Sequence, residues 1–175
     1  SKAPTPFRLY YKITGVGHWF TITTRPPKFT RKGTASSSSR EESISFADVR
    51  SRDLAFAAMN SSLFYWFYQL RTNCRDFNPS DFRTFPLPTD LATVDFTELG
   101  NRLQARLDES SKVSAISYKQ TGDVEVETFR PRSAKDIIDE IDRTLARRYG
   151  LSAEEEDFIL NYDIKYRIGA DAEEE

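Results

Sequence analysis

From Pro6 the chain alternates at period two. Phe7, Leu9, Tyr11 and Ile13 are interleaved with Arg8, Tyr10 and Lys12, the pattern of a half-buried strand. Gly15-Val16-Gly17 then turns the chain, and Trp19 to Thr24 is a second β-rich run stopped by Pro26-Pro27. The simplest product is a hairpin. Lys28 to Glu42, with four serines in a row at Ser36 to Ser39, is too polar for a core and reads as a mobile loop. Ser43 to Phe46 is expected to return as a strand. Ser51 to about Leu70 changes period: Leu54, Ala58, Ser61 and Tyr65 share one side, Met59, Leu63, Trp66 and Leu70 another. A helix apolar nearly all round is enclosed by other elements.

Beyond it, Ser80 to Arg83 is expected to form one helical turn, and Phe85-Pro86-Leu87-Pro88 forces an extended path, because a residue before proline avoids the α region. The remainder reads mainly as helix. Asp95 with Glu98 resembles a capping box ahead of Phe96, Leu99, Leu103 and Leu107 at helical spacing. Ser114 to Arg130 predicts a second hairpin about Thr121-Gly122-Asp123, with Val124, Val126 and Thr128 alternating against Glu125 and Glu127. Ser133 and Asp136 open a helix whose face is Ile138, Ile141, Leu145 and Tyr149, stopped by Gly150. Ser152 and Glu155 cap a last helix through Leu160.

The pattern therefore predicts an α+β fold. A small, mainly antiparallel sheet from residues 6–46 packs on a buried helix, followed by a helical C-terminal region braced by the second hairpin. Residues 1–90 and 91–175 form two parts packed as one unit. The 175 residues suit a single domain, and 38% hydrophobic residues, with 13 Phe and 8 Tyr, supply a core that disordered chains lack.

Composition narrows the chemistry. One cysteine, Cys74, and one histidine, His18, cannot supply an internal disulfide or a structural zinc site of about four N or S ligands, and a reducing compartment, the cytoplasm, is expected. The polar opening Ser1 to Thr5 gives no apolar leader. Leu54 to Leu70 runs seventeen residues without a charge, at the lower limit of the roughly 17–25 that span a bilayer. Asn60, Ser61, Ser62 and Gln69 interrupt it, which favours a core helix and no membrane partner.

Catalytic constellations are sparse. Adenine methyl transfer needs an Asp/Asn-Pro-Pro-Tyr/Phe tetrapeptide that grips the amino group and stacks on the flipped base; Asn78-Pro79-Ser80-Asp81 shares two positions and lacks the aromatic. Gly15-Val16-Gly17 has no helix behind it and is a turn, not a cofactor loop. Asp163-Ile164-Lys165, with Glu154 to Asp157 upstream, has the closing spacing of a metal-dependent nuclease, although its acids fall on a capped helix. A Cys74/His18 nucleophile pair is conceivable on composition alone. No complete catalytic site is expected.

The charge is uneven: residues 1–90 hold 13 Lys and Arg against 7 Asp and Glu, and residues 91–175 hold 12 against 20. A basic half beside an acidic half suggests that the first faces an anionic partner. Phosphate contact needs cations, and base reading needs Arg, Lys, Asn or Gln on exposed loops of a rigid scaffold. Arg25, Lys28, Arg31, Lys32 and Arg40 meet that description. Arg71, Asn73, Arg75 and Asn78 form a second group that serves equally well as ordinary solubilising residues.

Two segments resemble a known family. Ala57 to Phe67 (AAMNSSLFYWF), then Asn73 to Asn78 (NCRDFN) and Asp81 to Pro88 (DFRTFPLP), are similar to the target-recognition region of adenine-specific DNA methyltransferases in Type II, especially Type IIG, restriction–modification systems. The Phe-Pro-Leu-Pro exit also resembles the end of a recognition domain in Type I specificity subunits. Ile137 to Asp142 (IIDEID), Tyr149 to Leu151 (YGL) and Phe158 to Arg167 (FILNYDIKYR) look like the extreme C-terminus of the same enzymes. The resemblance covers about half the chain in the family's order. It implies a larger parent whose catalytic domain, outside this chain, binds S-adenosylmethionine, while this part binds double-stranded DNA and selects the site. It implies no cofactor in this chain and names no base-reading residue, so Arg25, Lys28, Arg31, Lys32, Arg40, Asn73, Arg75 and Asn78 rest on the loop argument. Two rivals stand: a module docking a methyltransferase or nuclease subunit, and a hydrolase or nuclease using Asp163 and Lys165.

Overall fold

The computed structural model describes residues 5–15, 19–118 and 122–169. Val16 and Gly17 of the first predicted turn, His18, Thr121 of the second turn, and the acidic tail from Asp171 lie outside the described residues.

Four short strands come first: β1 (Arg8–Lys12), β2 (Phe29–Arg31), β3 (Thr34–Ala35) and β4 (Glu41–Ser45). They do not share a sheet. β1 pairs antiparallel with β4, Leu9 opposite Ile44, as the predicted return strand requires. The expected hairpin partner, Trp19 to Thr24, instead touches β1 through one bridge between Tyr10 and Thr23. The backbone of Ile22 is taken by a side chain: its N–H donates to Asn60 Oδ1 at 3.1 Å, and its carbonyl accepts from Asn60 Nδ2 at 3.2 Å. Buried amide groups need partners, and here an asparagine replaces the ladder.

The stretch Lys28 to Glu42 is not simply a loop. It contains the β2–β3 hairpin, whose turn residues Lys32 and Gly33 both have positive φ (50° and 76°), as a two-residue turn matched to strand twist requires. A polar strand holds here because its backbone is paired: β2 joins the second hairpin, β5 (Lys112–Tyr118) and β6 (Gly122–Thr128), in a four-stranded sheet of order β3-β2-β6-β5. The N-terminal part of the chain thus supplies two strands to a sheet completed by the C-terminal part.

The enclosed helix is broken into α1 (Val49–Asn60) and α2 (Ser62–Arg71). At Ser61 the backbone is extended, and its hydroxyl accepts from Phe64 N at 3.0 Å while donating to Ala58 O at 2.6 Å. The polar residues that interrupt the apolar run are thus the joint, capping the new helix start. Among the described residues, no helix is long and apolar enough to cross a membrane.

α3 (Pro79–Arg83) and α4 (Thr97–Glu109) follow at the expected places. The Asp95–Glu98 box does not form; Asp95 accepts from Thr97 N at 2.9 Å, just outside the helix. A 3-10 turn, Pro131–Ala134, leads into α5 (Lys135–Tyr149), which ends at left-handed Gly150. The Ser152–Glu155 capping box opens α6 (Ala153–Leu160), and α7 (Ile164–Gly169) closes the fold. Phe20, Phe64, Tyr68 and Phe77 form the aromatic centre, with Phe20 only 4.9 Å from Tyr68 and 5.1 Å from Phe77 between ring centroids. Phe85 of the Phe-Pro-Leu-Pro exit packs 5.2 Å from Phe64.

Candidate nucleic-acid interface

One residue of each basic group, Arg40 and Arg75, meets the other along the continuation of β1. Beyond Lys12, residues Ile13 to Gly15 have a neighbour on each side. Ile13 N–H donates to Arg40 O at 2.9 Å, and Ile13 O accepts from Phe77 N at 3.0 Å. Thr14 bridges to Asp76. Arg40 and Arg75, remote in sequence, therefore both border an open hollow of about 710 Å³ that also holds Thr14, Gly15 and Asp76.

Arg40 also lines a second cleft, of about 550 Å³, between the β1–β4 ribbon and one face of the four-stranded sheet. The ribbon contributes Lys12, Thr14 and Glu41. The sheet contributes Arg31 from β2, Ser114, Ile116 and Tyr118 from β5, and Val124, Val126 and Thr128 from β6. Strand alternation selects these residues. Arg31 is opposite Val124, and Val124 is opposite Ile116, so the three share a face. Asp123, Glu125 and Glu127 occupy the intervening positions and point to the reverse face. The sheet wall of the cleft consequently carries no carboxylate.

Lys12, Arg31 and Arg40 stand against one acid in the cleft, Glu41. Burial raises the pKa of that carboxyl, opposed by the charge of Lys12, its partner across the ladder. Arg31, Lys32, Arg40 and Arg75 are exposed, with no ion pair among the described residues.

Arg25 is placed differently. Its guanidinium makes a bidentate pair with Glu127, both bonds 2.8 Å, and a further 2.9 Å bond to Asp108, and it lies 5.2 Å over the Phe129 ring. Glu127 also accepts from Lys28 N at 2.8 Å. These bonds tie the chain entering β2 to β6 and α4, so Arg25 holds the sheet in register and its donors are largely committed. Lys28 is exposed beside it, with its backbone in the same network. Lys32 lays its stem against Gly122, where an added Cβ would come within 3.1 Å of Lys32 Cε. Asn73 accepts from Arg75 N at 3.0 Å, and Asn78 stands at the start of α3 with its N–H on Asp81 at 2.7 Å. Both asparagines are exposed and shape local turns. Arg71 lies 5.4 Å from the Phe67 ring.

The Arg25 pair holds the Glu127 carboxyl well below its ordinary value of 4.5, at about 2, despite burial. A depressed carboxyl contributes stability that is present above about 4.5 and lost as pH falls toward about 2. Glu127→Gln is therefore expected to flatten the acid side of the stability curve over this interval, measured by urea unfolding at successive pH values. An unchanged acid limb would show that the pair is not holding β2.

The loop argument missed Lys12, Thr14 and the β5–β6 face. A signal existed: in Asp123 to Thr128 every acid falls at odd positions, which places one uncharged and one anionic face on the strand. Glu154, Glu155 and Glu156 occupy the first turn of α6, and Glu155 is spent in its capping box. Among the described residues no cluster of three or more His, Cys, Asp or Glu could hold a metal ion. Cys74 is exposed. No protein family, curated protein or solved structure matches the chain.

Proposed function

We propose that this chain is the duplex-reading module of an adenine-specific DNA methyltransferase of the restriction–modification kind, acting in the cytoplasm. The observation that carries the reading is the convergence of Lys12, Arg31, Arg40 and Arg75 along Ile13 to Gly15 and the adjoining cleft. Exposed cations, of which Arg31, Arg40 and Arg75 have no ion pair among the described residues, suit a polyanion, whose binding gains from released counterions. The family resemblance supports the identity of the parent: its segments supply Phe64, Phe77 and Phe85 of the buried scaffold, and the cations lie on the surface that scaffold displays. Methyl transfer and S-adenosylmethionine belong to a catalytic domain elsewhere in the parent. Lys28 and Lys32 add to the positive field, while Arg25 acts as a positioning residue.

A docking role has its own observation. Leu70 of α2, Phe158 of α6 and Tyr166 of α7 are 62%, 52% and 60% exposed, and Tyr162, between α6 and α7, donates to Gln69 of α2 at 3.0 Å. This apolar surface would receive the parent's catalytic domain. The test is fluorescence anisotropy of the purified chain with a random duplex pool at two salt concentrations. Affinity that falls steeply with salt supports DNA reading. No binding at low salt leaves docking as the function.

A further inference from the structure

We infer that the β5–β6 ribbon is the base-reading element, entering the major groove and recognising thymine methyl groups through Ile116, with Tyr118 beside it. The inference rests on the DNA-reading assignment and goes beyond it, because it moves specificity away from the basic loops. The juxtaposition that carries it is an uncharged, half-apolar strand face bordered by the exposed cations Lys12, Arg31 and Arg40. Every residue of β5 is exposed, and Ile116 and Tyr118 remain 41% and 51% exposed on the cleft face. β5 is the edge strand of the four-stranded sheet.

Size agrees. β5 and β6 lie about 4.8 Å apart, and this edge of the four-stranded sheet is narrow enough to enter the major groove, about 12 Å wide, with β2 and β3 left outside it. The cleft of about 550 Å³ is too small to enclose a duplex; it suits the backbone of one strand at its mouth, held by Lys12, Arg31 and Arg40. Charge agrees as well, since Asp123, Glu125 and Glu127 all lie on the reverse face, and the face offered to DNA repels no phosphate.

The chemistry then limits what can be read. The cleft face of β5 and β6 offers Ser114, Ile116, Tyr118, Val124, Val126 and Thr128, with no Arg, Asn or Gln to make paired hydrogen bonds to guanine or adenine. An apolar side chain finds one base-specific partner in the major groove, the C5 methyl of thymine. Hydroxyls of Ser114 and Thr128 accept or donate and add little discrimination.

The experiment selects the preferred site from a random duplex pool with the purified chain, then replaces each dT by dU in turn. Loss of one methyl contact is expected to weaken binding about fourfold at one or more positions. In Ile116→Ser that penalty disappears while the salt slope is unchanged, and Ile116→Val, which keeps an apolar contact, retains the penalty. Tyr118→Ala is expected to flatten the selected sequence by about tenfold in discrimination. A chain that binds duplex without sequence preference, or an Ile116→Ser variant that keeps every dU penalty, overturns the ribbon's role and leaves DNA binding standing. Failure of the unsubstituted chain to bind duplex at low salt overturns the DNA reading and the ribbon's role together.

Discussion

Asp142→Ala is expected to lower the unfolding free energy by about 3–5 kcal/mol and to reduce Tm by roughly 10 °C. Asp142 lies on α5 and is 1% exposed. Its two oxygens accept from Ser62 N and Leu63 N, both at 3.0 Å, the first amides of α2. Among the described residues these donors have no other acceptor, and the positive end of the helix dipole favours a carboxylate. Arg167 of α7, 1% exposed, lies 3.7 Å over the Trp19 ring and donates to Ser62 Oγ at 3.0 Å; its charge favours the ionised Asp142. Alanine leaves two buried N–H groups without their acceptor, deprives the guanidinium of a facing charge, and opens a cavity. Thermal unfolding followed by circular dichroism measures the loss. A change under 1 kcal/mol would mean that α2 does not depend on this cap.

The same residue gives a pH test. Burial outweighs the backbone donors and Arg167, pushing the Asp142 carboxyl up from 3.8 to about 6. The folded chain therefore holds this proton more tightly than the unfolded chain. Its contribution is full below about 4 and declines as pH rises toward about 6, opposite in sense to Glu127. In Asp142→Asn that part of the pH dependence is absent, so the stability difference between the two proteins changes across pH 4 to 6. A difference that stays flat there would contradict the raised value.

The combined variant Arg31→Ala, Arg40→Ala, Arg75→Ala is expected to lose duplex affinity on the order of a thousandfold at about 50 mM salt. With one phosphate contact per arginine, the slope of log affinity against log salt becomes shallower by about 2.7, or about 0.9 for each. All three side chains are exposed and without ion pairs among the described residues, so folding is expected to survive, and an unchanged Tm checks this. Arg25→Ala is the contrasting control. Its guanidinium is committed to Glu127 and Asp108, so its loss appears mainly in stability. Triple-variant binding with the parent's affinity and slope would place the DNA elsewhere.

Local pattern determined much of this protein. The α+β class, β1, the C-terminal helices, the Gly150 stop and the Ser152–Glu155 box follow from periodicity and capping chemistry that act within a few residues. The polar residues Asn60 to Ser62 were visible as an interruption, although not as a joint. Their role depends on Asp142, eighty positions away from Ser62, and on Ile22. Tertiary pairing decided the rest. A short polar segment such as Phe29–Arg31 has no strong local preference, so its strand state came from β6, which satisfies its backbone. Proximity in space also sorted the basic residues, joining Arg40 to Arg75 across Thr14-Gly15 and committing Arg25 to a buried acid. Residue type shows which side chains carry charge; only the folded chain sets which of those charges are already neutralised, because ion pairing and strand pairing are contacts between distant positions.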